Sequence, residues 1–154
     1  MYQIEVKAAL MAHCFPPARG WRVIVDIDAM ERATGGQHPV GRQERAAAAE
    51  QQMVGLGVTG GRHPEYGRAD VVAEHPHSGT VVVEVEGESS KQREQAIYSA
   101  LGQTAFSMWD LSGHTRSAIA VPDTEDWRRQ LRKVPRTVTE RLHLQLLAVS
   151  TNRR

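Results

Sequence analysis

The sequence predicts an α/β domain, a small mixed β-sheet flanked by α-helices. Three observations carry that expectation. Two valine-rich segments, 68–74 and 80–87, alternate at strand period on either side of the turn His75–Gly79. A helical pattern over 91–109 follows, with Ile97, Ala100, Leu101, Ala105 and Met108 at helical spacing. A short strand, 116–121, comes next. Strand, strand, helix, strand, with a helix before them, is the order of a layered α/β domain.

The remaining elements are read in chain order. Tyr2, Ile4, Val6 and Ala8 alternate with Gln3, Glu5 and Lys7, which is strand period. Trp21–Asp28 is a second strand, with Val23, Val25 and Ile27 on one face, and Pro16, Pro17 and Gly20 break the chain between the two. A long hairpin over 2–28 is therefore expected. A helix over Ile4–Cys14 is the rival, since the alanines and Leu10 suit either state. Residues 34–41 form a loop. Gly41–Leu56, rich in Ala, Glu and Gln, is a helix with Ala46, Ala49, Met53 and Leu56 on its apolar stripe. Residues 57–67 hold four glycines and a proline and read as loop. Ser89 or Ser90 can cap the helix over 91–109, and Thr124 a helix over Glu125–Lys133. Leu142–Val149 is a final strand or helix.

At 154 residues, with 40% hydrophobic and 24% charged side chains, the chain is expected to make one domain with a sizeable core. It divides into an N-terminal extension (1–40), a core (41–121) and a basic C-terminal helix and strand (122–154). No apolar run is long enough to span a bilayer, and the first ten residues lack the charged and apolar regions of a signal peptide. A single cysteine, Cys14, excludes an internal disulfide and a multi-cysteine zinc site. The expectation is a cytoplasmic protein with no membrane partner. Net charge is +1, but it is unevenly spread. Glu65–Asp110 holds eight acids and three bases, Thr124–Arg154 three acids and eight bases.

The chemistry concentrates between Arg68 and Gln103. Alternation puts Val81, Val83 and Val85 on one strand face and Val82, Glu84 and Glu86 on the other. A hairpin centred on His77 sets Asp70 opposite Glu84 and Arg68 opposite Glu86. Opposed carboxylates destabilise a sheet unless a counter-charge joins them. Three counter-charges are available: a divalent cation such as Mg²⁺ on Asp70 and Glu84, Lys91 at the start of the next helix, or Arg68 paired with Glu86. The bland reading is a solvent-facing acidic hairpin with one salt bridge.

The stretch GRADVVAEHPHSGTVVVEVEGESSKQREQAIYSALGQ resembles the core of the PD-(D/E)xK nuclease superfamily, which includes restriction endonucleases and Holliday junction resolvases. Its pattern is an Asp on one strand, a turn, (D/E)-x-K on the next strand, and then a helix. Asp70 matches the first acid and Glu84 the second. GRQERAAAAEQQMVGLGV resembles the helix before that core, with Glu44 as its helical acid. The third motif position holds Glu86 where the family has Lys. The resemblance implies a restriction-endonuclease-like fold and a Mg²⁺- or Mn²⁺-dependent nuclease hydrolysing phosphodiester bonds of nucleic acid, most naturally DNA, to 5′-phosphates. It implies Asp70, Glu84 and Glu44 as metal ligands and Asp70, Glu84, Glu86 and Lys91 as the catalytic set. Glu86 would act as a further ligand or base, and Lys91 as a migrated lysine. Gln95 and Tyr98, on the helix after the motif, would face the substrate. A catalytically inactive nuclease-fold module that binds DNA or a protein partner is the alternative.

Arg128, Arg129, Arg132, Lys133 and Arg136 cluster on or just after one helix, and 128, 132 and 136 make a stripe suited to phosphates. Solvated surface is the plainer reading of such a stripe. Trp127 reads as core rather than as a stacking platform. His75 and His77 lie in a turn, and His13 beside Cys14 lacks an Asn or Asp partner nearby in sequence, which leaves a cysteine hydrolase an outside reading. The Arg68–Gly87 hairpin also offers an edge for a homodimer.

Overall fold

The computed structural model describes residues 1–89, 92–109 and 113–151. The chain is an α/β domain with a six-stranded mixed sheet. Its elements are α1 (Gln3–His13), β1 (Arg22–Val25), α2 (Arg42–Gly55), β2 (Thr59–Gly60), β3 (Val71–His75), β4 (Gly79–Val85), α3 (Arg93–Ser107), β5 (Thr115–Pro122), α4 (Glu125–Leu131), α5 (Arg136–Arg141) and β6 (Leu144–Val149). The strand order is β2-β1-β3-β4-β5-β6. β1, β3 and β4 are antiparallel neighbours, while β4, β5 and β6 run parallel. The parallel steps need crossovers, which α3 and then α4 with α5 supply.

Strand alternation sorts the core into two layers. Val71, Ala73, Val81, Val83, Val85, Ala118 and Ala120 face α1 and α2. Ile119, Val121 and Leu144 face α3 and α4, where Trp127 is buried. The β3–β4 hairpin has the predicted register: Val71 pairs with Val83, Val72 with Val82 and His75 with Gly79. Its turn is held by the His75 ring, whose Nδ1 accepts from the backbone N–H of His77 and Ser78 at 3.2 Å each. His75 is thus turn structure rather than half of a metal-binding pair. Thr124 caps α4 as expected, accepting from Trp127 N–H. α3 begins with Gln92 as its N-cap rather than Ser89, and Ser90 lies outside the described residues.

The N-terminal hairpin is not what forms. Residues 3–13 are helix α1, and β1 pairs with β2 and β3 instead. The period-2 pattern misleads because α1 is buried on several sides. Ile4, Val6, Lys7, Ala8, Ala9, Leu10 and Met11 are all enclosed, so no polar face marks the helical period. α1 packs between the sheet and α2. Its first turn is fastened by a capping contact, Tyr2 N–H donating to Glu5 Oε2 at 2.7 Å.

The chain leaving β4 runs directly against the start of α1. Glu88 N–H donates to Met1 O at 2.9 Å. A Cβ on Gly87 would lie 2.3 Å from the backbone nitrogen of Gln3, where no flexible side chain can yield. Gly87→Ala is therefore expected to cost about 3 kcal/mol in urea unfolding, the upper end for overpacking a tight contact. A cost below about 0.5 kcal/mol, the range of neutral surface changes, would show that α1 shifts freely relative to β4.

Candidate functional site: a buried carboxyl pair beside an ammonium

Asp70 sits just before β3, and Glu84 near the end of β4. Both come to the sheet end where the start of α1 crosses. The Asp70 carboxylate is held from three sides. Val85 N–H donates to Oδ2 at 2.9 Å and Gln3 Nε2 to Oδ1 at 3.2 Å. The Lys7 ammonium lies 3.0 Å from Oδ1. Lys7 is fully enclosed and also contacts Glu31 Oε1 at 2.7 Å and donates to Asp26 O at 2.5 Å. Glu31 reaches in from the segment after β1, braced by Asp28 N–H at 3.1 Å. Burial opposes the charge on Lys7, but Asp70 and Glu31 outweigh it and hold its pKa above the ordinary value.

Glu84 is only 3% exposed. Burial, and then the charge on Asp70, push its carboxyl up to about 9. Its neutral form is thereby favoured beside the Asp70 carboxylate. Its Oε1 is buried and has no hydrogen-bond partner among the described residues. Glu84 forms part of the wall of a cavity of about 320 Å³ bounded by the loop before β3 and the last turns of α3.

Asp70 and Glu84 come together as the sequence expects, and the nearest counter-charge among the described residues comes from elsewhere in the chain. The counter-charge is Lys7, a residue read as the polar side of a strand. Lys91 lies outside the described residues. Glu86 is half-buried close enough to raise the Glu84 pKa, on the side of Gln3 and Glu31 rather than in the Glu84 cavity. Glu44 is exposed in the first turn of α2, the helix that packs over α1. Gln95 is exposed near the start of α3, about two turns before the stretch that reaches the cavity. Tyr98 lies in the groove between α3 and the end of α4, and its hydroxyl donates to Glu94.

On α4, Arg128 pairs with Asp123, Arg129 with Asp126 and Arg132 with Glu125. The predicted stripe exists in space: Arg128, Arg132 and Arg136 line one open groove beside β6. Exposed pairs of this kind are worth about 0–1 kcal/mol each. Trp127 is core, its indole N–H donating to Glu88 at 3.2 Å. Burial pushes the Cys14 thiol up, which works against a nucleophilic role.

Among the described residues, no group of three or more His, Cys, Asp or Glu side chains is arranged to hold a metal ion, and no helix is long and apolar enough to cross a membrane. From the protein a hard divalent cation would take this pair of carboxyls, fewer than the three groups of a preformed site. Mg²⁺ commonly uses one or two protein carboxylates and fills its shell with water and substrate phosphate. Asp70 already takes Gln3 and Lys7 on Oδ1, Val85 N–H on Oδ2 and the Glu84 carboxyl, so a cation would take the place of the Glu84 proton, and Glu84 Oε1 is buried without a hydrogen-bond partner among the described residues. Comparison with protein-family models, curated proteins and solved structures finds no match to the chain.

Proposed function

We propose that this domain is a Mg²⁺- or Mn²⁺-dependent nuclease in which Asp70 and Glu84 hold the metal. One observation carries the reading. The carboxyls of Asp70, just before β3, and Glu84, on β4, lie close enough that Asp70 raises the Glu84 pKa, and the buried Glu84 Oε1 has no partner among the described residues. Such an arrangement is costly for folding alone, and strongly shifted pKa values concentrate at functional sites. The order Asp70, turn, Glu84, helix matches the two acids of the PD-(D/E)xK pattern and supports the same reading.

When bound, the metal supplies a water of lowered pKa and neutralises charge developing on the phosphodiester. The chain's own residues do the rest. Lys7, Gln3 and Val85 N–H fix the Asp70 carboxylate so that it cannot swing toward solvent. Glu84 must release its proton before it can act as a ligand, so metal loading improves as pH rises toward 9. The arginine groove beside β6 offers a second, sequence-independent hold on the phosphate backbone. The rival is an inactive module of the same fold that binds nucleic acid or a protein partner. What favours it is Glu86 at the third motif position.

Two measurements decide. Calorimetric titration with Mg²⁺ and Mn²⁺ is expected to show binding that Glu84→Ala abolishes. Cleavage of supercoiled plasmid and of circular single-stranded DNA is expected to fall at least about hundredfold in Asp70→Asn, the scale of losing a group that organises the transition state. Absence of metal binding by the unaltered protein, or cleavage that survives Asp70→Asn, overturns the proposal.

A further inference from the structure

The cavity that Glu84 enters has an unusual rim. Phe106 and Trp109, at and just after the end of α3, are 80% and 81% exposed. Burial of large apolar rings is the norm, and neighbouring exposed ones mark contact surfaces. Both rings border the same cavity as Glu84, together with Tyr66, Arg68 and Gln103. The opposite wall is built to stay put. The buried His63 ring accepts from the backbone N–H of Glu65 at 3.1 Å and of Tyr66 at 3.2 Å, which shapes the loop, and the Tyr66 hydroxyl meets Thr115 at 3.5 Å. Glu84 forms part of the lining, and its Oε1 lies buried behind the cavity surface with no hydrogen-bond partner among the described residues.

We infer that this cavity receives one unpaired nucleobase, stacked on Trp109 and Phe106, with a base N–H donating to Glu84 Oε1. The occupant must be planar and apolar on its faces, to use the rings. It must carry an N–H donor on its edge, to satisfy the buried oxygen. The cavity is at the small end of ligand pockets, roughly 300–1,000 Å³, and suits a group of that size. Every nucleobase offers both features once it leaves a duplex; inside one, its faces are stacked and its donors paired. The inference deepens the nuclease reading, on which the identity of the ligand as nucleic acid rests. It makes the substrate class single-stranded or locally unpaired strands.

The experiment uses the full chain in EDTA, so that no hydrolysis occurs. Fluorescence anisotropy compares a labelled single strand of about 15 nucleotides with the blunt duplex of the same sequence, and the intrinsic fluorescence that Trp109→Ala removes, beyond that of Trp21 and Trp127, follows Trp109. Tighter binding of the single strand by at least about tenfold is expected, with quenching of Trp109. Trp109→Ala and Phe106→Ala should each weaken it about tenfold to hundredfold, the range for one stacked base. Both side chains are exposed, so these variants keep the fold, as circular dichroism will register. Glu84→Gln keeps an acceptor oxygen and should retain most of the binding, whereas Glu84→Ala should lose it. Equal affinity for duplex, or indifference to both ring substitutions, overturns the inference. If metal-dependent cleavage that needs Asp70 is nonetheless present, the nuclease reading survives that failure. If single-strand binding through Trp109 occurs without any metal-dependent cleavage, the cavity assignment stands and hydrolysis falls.

Discussion

Glu84→Gln is expected to make the protein more stable while abolishing metal binding. The argument is one of proton linkage. Burial and then Asp70 push Glu84 up to about 9 in the folded chain from an ordinary value of 4.5. The folded state therefore binds the proton more tightly, and stability must fall as pH rises between those values. At one pKa unit per about 1.4 kcal/mol, the penalty reaches the order of 3 kcal/mol at neutral pH. A glutamine is neutral at every pH, keeps the shape, and donates its amide to Asp70 in place of the carboxyl proton. Chemical denaturation at pH 5, 7 and 8.5 should show a steady loss of stability in the unaltered protein and a much flatter profile in the variant. The two curves should meet near pH 5 and diverge above it. A parallel pair of curves would mean that Glu84 does not hold its proton, and the pairing with Asp70 described above would fall. Gain of stability with loss of metal binding is the signature of a residue kept for function at the expense of the fold.

That trade explains which parts of the site were legible in the sequence. The β3–β4 hairpin announced itself because valines alternate on both sides of a short turn, and a buried face fixes register to within one choice. Asp70 and Glu84 came together for that reason alone. Lys7 did not, because its partners are 24 and 63 residues away and nothing local marks a lysine that is going to be buried. The same segment also misled on its secondary structure. Strand-like alternation in residues 2–8 arises from a helix enclosed by the sheet on one side and α2 on another, so the usual polar stripe is missing. One signal was present. A run of Val6, Ala8, Ala9, Leu10 and Met11 with a single lysine inside it is an apolar helix stretch with one charge to satisfy, and a charge of that kind calls for acids elsewhere in the chain. Glu44 was placed at the site by analogy with a helix preceding the motif; the helix that reaches the carboxyls is α1, which contributes Gln3 and Lys7 instead.

Lys7→Met carries the other large effect, and its sign is opposite. Methionine fills nearly the same volume, so the loss is electrostatic rather than one of packing. Removing the ammonium leaves Glu31, 8% exposed, and the Asp70 carboxylate without their cation, and Asp26 O without its donor. Breaking one partner out of a buried ion pair typically costs about 3–5 kcal/mol, a large part of the 5–15 kcal/mol that holds a domain folded. The ammonium's pKa is raised, so its contribution is complete below the unfolded value of 10.5 and is lost only above the folded one. The destabilisation should accordingly be flat across neutral pH, unlike that of Glu84. A double-mutant cycle separates the ion pair from general damage to α1. Lys7→Met combined with Glu31→Met converts the pair to apolar side chains, a change that is often neutral or stabilising once both charges are gone. The double variant should recover at least about 1 kcal/mol relative to Lys7→Met alone, within the range of coupling between residues in contact. Full recovery is not expected, because Asp70 still faces the gap. If Lys7→Met costs less than about 1 kcal/mol, the buried ammonium is not what fixes Asp70, and Gln3 with Val85 N–H must hold the carboxylate unaided. If the cycle shows no coupling, the loss belongs to α1 as a whole, and the positioning of Asp70 by charge is refuted while its hydrogen bonds remain.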